Sequence, residues 1–110
     1  MRWLPVIVVQ AYIDPSVRQE FERWFRKVHL PRVLATPGML RVYRADCRRP
    51  GVNWSAAYVL INDAAISTVW EGRAAEACRR DWRPWLPYME NFRMEVYAGL
   101  PTNPIYRCEN

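Results

Sequence analysis

Two periodicities divide this chain. Leu4 to Ile13 (LPVIVVQAYI) is rich in β-branched residues and predicts a first strand. It stops at Asp14-Pro15, where an acidic cap before a proline predicts a helix start. From there Val17, Phe21, Trp24, Phe25 and Val28 recur at the spacing of one helical face, with Arg18, Glu22, Arg23, Arg26 and Lys27 on the other. Pro31 is expected to disturb this helix near His29, a short turn through Val33-Leu34 to follow, and Pro37-Gly38 to lead into the next element.

Met39 to Arg48 then reads as a second strand, Pro50-Gly51-Val52-Asn53 as a hairpin-type connection, and Trp54 to Ile61 as a third strand. Asn62-Asp63 caps a helical stretch containing Ala64, Ile66, Val69 and Trp70; Gly72 interrupts it and Arg73 to Arg80 continues it. Asp81 to Met89 holds two prolines and cannot be one regular helix. Phe92, Met94, Val96 and Ala98 alternate with Arg93, Glu95 and Tyr97 as a last strand, and the tail from Pro101 reads as extended.

The order strand, helix, strand, strand, helix, strand contains two crossovers, and their right-handedness places both helices on one face of a four-stranded antiparallel sheet. This predicts an α+β, ferredoxin-like βαββαβ fold, with residues 1–110 as a single domain. Strand one is apolar on both parities: Val6 and Val8 on one, Ile7, Val9, Ala11 and Ile13 on the other. A face left wet would exceed the apolar patch that monomers usually carry, whereas a partner sheet covers roughly 800 Å² per subunit. A homodimer packed sheet against sheet is the expectation.

Composition narrows the partners. The chain has 110 residues, 51% hydrophobic and 25% charged, as a packed globule requires. Its net charge of +5 comes from 16 basic residues, all arginine apart from Lys27 and mostly scattered among acids. No apolar run approaches the ~20 residues of a membrane helix, and Met1-Arg2-Trp3 leading into a strand does not read as a signal peptide. Cys47, Cys78 and Cys108 are odd in number and unpaired in pattern, so reduced thiols in a cytoplasmic protein are expected. RNA-recognition domains share this element order, but Asn53 to Leu60 lacks their Lys/Arg-Gly-aromatic signature, which disfavours nucleic acid.

Asp14-Pro15, Glu20-Phe21, Trp24-Phe25, His29-Leu30-Pro31 and Pro37-Gly38 together resemble the pattern of dimeric α+β barrel proteins of the ethyl tert-butyl ether degradation (EthD) type. Tyr58 to Ile61, the Trp70 helix and Trp82-Arg83-Pro84-Trp85 extend the likeness over nearly the whole chain. The resemblance implies a barrel dimer with a ligand cavity between helices and sheet in each subunit, and carries over Trp24, His29 and Pro31, with His29 near the cavity. That superfamily includes lactone isomerases, polyketide cyclases, decarboxylases or dehydratases, and cofactor-free oxygenases, and fold does not choose among them.

The candidate chemistry centres on the single histidine. His29 is the one side chain expected to exchange a proton near neutral pH, which makes it a general acid or base; the competing reading is a histidine bonding the last carbonyls of the first helix. Trp82, Trp85 and Tyr88 recur every three residues and would line up in a tight helical turn over a planar ligand, or else plug one end of the core; Trp24 from the first helix would help to shape the apolar pocket. Tyr12, Tyr43 and Tyr58 lie on strands, where a phenol orients a ligand oxygen or simply packs. Asp81, Arg83 and Arg44 are candidates for the pocket rim, with Asp81 able to orient His29 if the fold joins them, against the commoner fate of such residues in surface salt bridges.

One histidine and three dispersed cysteines supply no zinc site, there is no phosphate loop or nucleophile elbow, and a lone histidine is weak support for haem; no cofactor or metal is expected. The chemistry expected is proton transfer on an aromatic, polyketide-like or lactone substrate in an apolar cavity, of isomerase, cyclase, lyase or oxygenase type. His29, Tyr58 and Asp81 would be catalytic. Tyr12, Trp24, Tyr43, Trp82, Trp85 and Tyr88 would bind substrate. The alternative is a non-catalytic small-molecule-binding or accessory dimer.

Overall fold

The computed structural model of the chain describes residues 4–46 and 49–98, apart from the side chains of Trp70 and Ala74. The expectations for Met1 to Trp3, Cys47, Arg48, Cys108, the tail from Pro101 and the ring of Trp70 lie outside the described residues. Strand β1 (Val6–Ile13) leads through a 3-10 turn (Pro15–Val17) into α1 (Arg18–Trp24), a π turn (Phe25–His29) and α2 (Leu30–Leu34). There follow β2 (Met39–Ala45), β3 (Trp54–Leu60), α3 (Ala64–Glu71), α4 (Arg73–Trp82), a second 3-10 turn (Arg83–Tyr88) and β4 (Met89–Tyr97). The sheet order is β2-β3-β1-β4 with every neighbouring pair antiparallel, the ferredoxin-like arrangement expected from the element order.

Local chemistry sets the boundaries. Asp14 Oδ1 accepts from the Ser16 amide at 2.9 Å and from the Ser16 hydroxyl at 2.8 Å, and Pro15 opens the turn, so the helix begins where cap and proline meet. At the second helical region the capping bond comes from Asn62, whose Oδ1 accepts from the Ala65 amide at 3.0 Å. Gly72, extended in backbone, separates α3 from α4. Gly38 adopts φ +94°, and a Cβ there would lie 2.7 Å from that of Ala65, so glycine is what lets α3 press against the start of β2. Asn53 ties the hairpin to β1: its Oδ1 accepts from the Ile13 amide at 2.7 Å and its Nδ2 donates to the Ile13 carbonyl at 2.9 Å.

Strand register separates two faces. Ile7 pairs with Tyr58, Val9 with Ala56 and Ala11 with Trp54, and all six are buried beneath the helices together with Ile13 and Leu60. Val6, Val8, Gln10 and Tyr12 on β1, with Ser55, Ala57 and Val59 on β3, form the other face and are half-buried. On the edge strands Tyr43 and Tyr97 continue that open face, since they pair with Ala57 and Val6.

The first helical run departs from the sequence pattern at one point. Val28, expected on the buried stripe, is 40% exposed, while Phe21, Phe25, His29 and Val33 are buried at steps of four residues. In an uninterrupted α-helix each such step drifts about 40°, so the face would be lost within three steps. The π turn absorbs one extra residue, visible where the Leu30 amide donates to the Phe25 carbonyl five residues back, and this brings His29 and Val33 under the same face as Phe21.

Candidate active site

Because the helical run continues through Pro31, His29 is not at a helix end bonding its last carbonyls; it sits at the junction of the π turn and α2, 2% exposed. Its ring stacks on Trp24 (centroids 5.3 Å, interplanar angle 26°) and meets Trp82 edge-on at 5.1 Å. Nε2 lies 2.9 Å from the phenol oxygen of Tyr58, which reaches it from the centre of β3. Nδ1 is buried without a hydrogen-bond partner among the described residues.

The electrostatics follow from burial. Desolvation foremost, and the Arg32 cation second, pull the imidazole from its ordinary 6.5 to about 4, so it is neutral at pH 7 and keeps one unprotonated nitrogen. Burial pushes the Tyr58 phenol far above its usual range, so it stays protonated. The pair is therefore a neutral base and a neutral hydrogen-bond donor held in contact in apolar surroundings.

Both residues border a cavity of about 600 Å³ between the sheet and the helices. The sheet contributes Ile7, Val9, Tyr58 and Met94; the first helical layer contributes His29, Val33 and Thr36; α3 and α4 contribute Val69, Ala75, Cys78 and Trp82. Met39 closes one side, and Glu71 and Arg79, both exposed, bring charge to its edge. The thiol of Cys78 is half-buried and pushed up, mainly by desolvation and secondarily by Asp81. A volume of this size accommodates a drug-sized ligand.

The expected site residues are only partly brought together. His29, Tyr58 and Trp82 line the cavity, and Trp24 supports His29 from behind. Trp85 packs on Phe21 at 5.4 Å and Trp24 at 5.7 Å, away from the cavity, and Tyr88 is 44% exposed beside it. The expected single row fails because Trp82 ends α4 whereas Trp85 and Tyr88 belong to the 3-10 turn. Tyr12 and Tyr43 lie on the open face of the sheet, across from Tyr58, because strand parity sends neighbouring side chains to opposite sides. Tyr12 therefore does not share a cavity with Tyr58 within one protomer.

Asp81 does not orient His29. Its carboxylate accepts from Arg32 Nη1 at 2.6 Å, a guanidinium being a stronger partner than a neutral imidazole. Arg44 leaves the cavity rim for α1, where it pairs with Glu22, and for Asp46 at 2.8 Å, with its guanidinium 5.0 Å above the Trp54 ring. Arg83 is exposed. Cavity residues that sequence reasoning missed include Thr36, Val69, Ala75, Cys78 and Met94. Of these Val69 and Met94 carried a signal, Val69 among the apolar positions of the second helical stretch and Met94 in the alternation of the last strand.

Among the described residues no group of three or more His, Cys, Asp or Glu side chains is placed to hold a metal ion. No helix there is long and apolar enough to cross a membrane.

The chain matches no protein-family profile, and no curated protein matches it significantly in sequence. Its fold does match solved structures. An ethyl tert-butyl ether degradation family protein from Bacillus halodurans superposes with TM-score 0.67 at 12% identity, over 86% of this chain and 97% of that one. A protein described as an antibiotic biosynthesis monooxygenase from Nitrosomonas europaea gives 0.64 at 18% identity, over 94% and 97%. A cofactor-independent oxygenase from Streptomyces nogalater gives 0.57 at 14% identity, over 94% and 97%. The chain thus shares its fold with these solved structures, the first of them of the ethyl tert-butyl ether degradation type that the residues of the first helix and its exit resemble.

Proposed function

We propose that this protein is a cofactor-independent enzyme that removes a proton from a flat, largely apolar substrate of aromatic, polyketide-like or lactone type. The observation that carries the reading is the contact of His29 Nε2 with Tyr58 Oη at 2.9 Å on the wall of an apolar cavity of about 600 Å³. A buried imidazole near 4 is a weak base toward water, since the lone imidazolium is poorly solvated there. Beside a substrate that becomes an anion the balance changes, because imidazolium and anion form an adjacent pair. A substrate hydroxyl or acidic C–H gives its proton to the Tyr58 oxygen while the phenol proton passes to His29 Nε2; Tyr58 stays neutral and donates to the new anion.

Formation of an enolate is the shared first step of isomerisation, cyclisation and elimination, and of direct reaction of an electron-rich enolate with dioxygen. The fold likeness to a cofactor-independent oxygenase supports this range without choosing within it. The open sheet face, with Val6, Val8, Ala57 and Val59 at its centre and Tyr43 and Tyr97 more than half exposed, supports a homodimer packed sheet to sheet. The cytoplasm is the compartment we propose.

The depressed basicity of His29 also favours a second reading, a binding or accessory dimer in which the His29–Tyr58 contact only orients a ligand. Deuterium exchange separates the two. In D2O, 2-tetralone with the wild-type protein is expected to lose its acidic C–H signal in the NMR spectrum faster than with buffer, and His29→Ala to remove about 10²-fold or more of that acceleration. Saturable binding of the ketone with no acceleration would establish the accessory reading instead.

A further inference from the structure

The π turn is the least expected feature of the molecule, and its position is telling: it begins at Phe25, ends at His29, and is followed two residues later by Pro31. In an uninterrupted α-helix Pro31 would lack the amide that should reach the Lys27 carbonyl, and its ring would clash with that carbonyl. Widening the preceding turn by one residue relieves the clash. The same widening turns Val28 to solvent and His29 inward, onto Tyr58.

We infer that Pro31 is a positioning residue: by enforcing the π turn it sets the helical phase that delivers His29 to Tyr58 and the cavity wall. This rests on the proton-transfer reading for its consequence in turnover, but its geometric content stands without it. The groups facing the imidazole are Trp24 and Phe25 on its own segment, Tyr58 from the sheet, Trp82 from α4, and the Arg32 guanidinium, itself neutralised by Asp81. Of these only Tyr58 holds the ring by a hydrogen bond, so a change of phase of about 100°, one residue of an α-helix, breaks the arrangement.

The experiment compares Pro31→Ala with the same substitution combined with deletion of Val28, the residue the turn absorbs. Three readouts are taken: the His29 titration by NMR, the crystal structure, and 2-tetralone exchange. In Pro31→Ala the segment is expected to relax to α-helix, the titration to move from about 4 toward the ordinary 6.5, and exchange to fall about a hundredfold. In the double variant a continuous α-helix again places the histidine beneath Phe25, so the low titration and the exchange return.

Pro31→Ala that keeps both the π turn and a titration near 4 overturns the inference, since the surrounding packing would then suffice. A double variant that folds without recovering the buried histidine overturns it as well, showing that Pro31 acts by its own contacts and not through phase. If Pro31→Ala fails to fold, the double variant decides alone on the same criteria. Titrations that shift as expected while the wild type shows no exchange would retain this inference and remove the proton-transfer function.

Discussion

The space between helices and sheet is solid at one end and hollow at the other, although one sheet and one helical layer enclose both. At the solid end Trp54 is fully buried, meets Phe21 and Phe25 edge-on at 5.2 Å each, and lies 5.7 Å from Trp82; Trp24 and Trp85 close the cluster. At the hollow end the facing side chains are Ile7, Val9, Val33, Thr36, Val69 and Ala75, too small to meet across the gap, and about 600 Å³ remains open. His29, Tyr58 and Trp82 stand on the boundary. The aromatic end is where rigidity comes from and the hollow end is where a ligand fits, so the reacting pair is braced on one side and accessible to substrate on the other.

The strongest way to break that contrast is to hollow the solid end. Trp54→Ala is expected to cost about 3–5 kcal/mol in chemical denaturation, because it leaves a void among rings that cannot collapse. A loss below about 1 kcal/mol would show that the aromatic end is not a rigid brace.

Next comes the boundary. His29 is held near 4 in the folded chain against an ordinary 6.5, so between these values the unfolded chain binds more protons than the folded one. Its neutral burial therefore contributes fully above about pH 6.5, and the contribution declines as pH falls toward 4 and is constant below. The span is about 3 kcal/mol. Denaturation midpoints measured across that window are expected to drop with acid in the wild type, and the part due to this residue to vanish in His29→Gln. Identical slopes in the two proteins would mean that the imidazole is solvated.

The smallest effect on stability is expected from filling the hollow end. Ala75→Leu projects into open volume and should change stability by less than about 1.5 kcal/mol, while 2-tetralone binding, followed by calorimetry, is lost. Retained affinity would place the ligand elsewhere.

Much of the fold was legible because burial is periodic in each element. The runs Leu4–Ile13 and Trp54–Ile61, the Asp14-Pro15 start and the Gly72 break all follow from local chemistry that needs no partner. The site was legible only in part. His29 stood out as the lone histidine, yet whether it capped a helix or faced a cavity depended on the phase of a helix that Pro31 alters. Tyr12 and Tyr58 could not be assigned to faces, since both strands are apolar on either parity. Asp81 had no local sign that Arg32, 49 residues earlier, would take its carboxylate.

What the order of residues determined unaided was the succession of strands and helices and the presence of one histidine, because each is read from residues a few positions apart. Tertiary structure decided which strand face lies under the helices, that the gap between the layers stays open beside Ala75 and Val69, and that Tyr58 meets His29. Those outcomes depend on register, helical phase and the summed volumes of side chains from distant segments, none of which a local pattern contains.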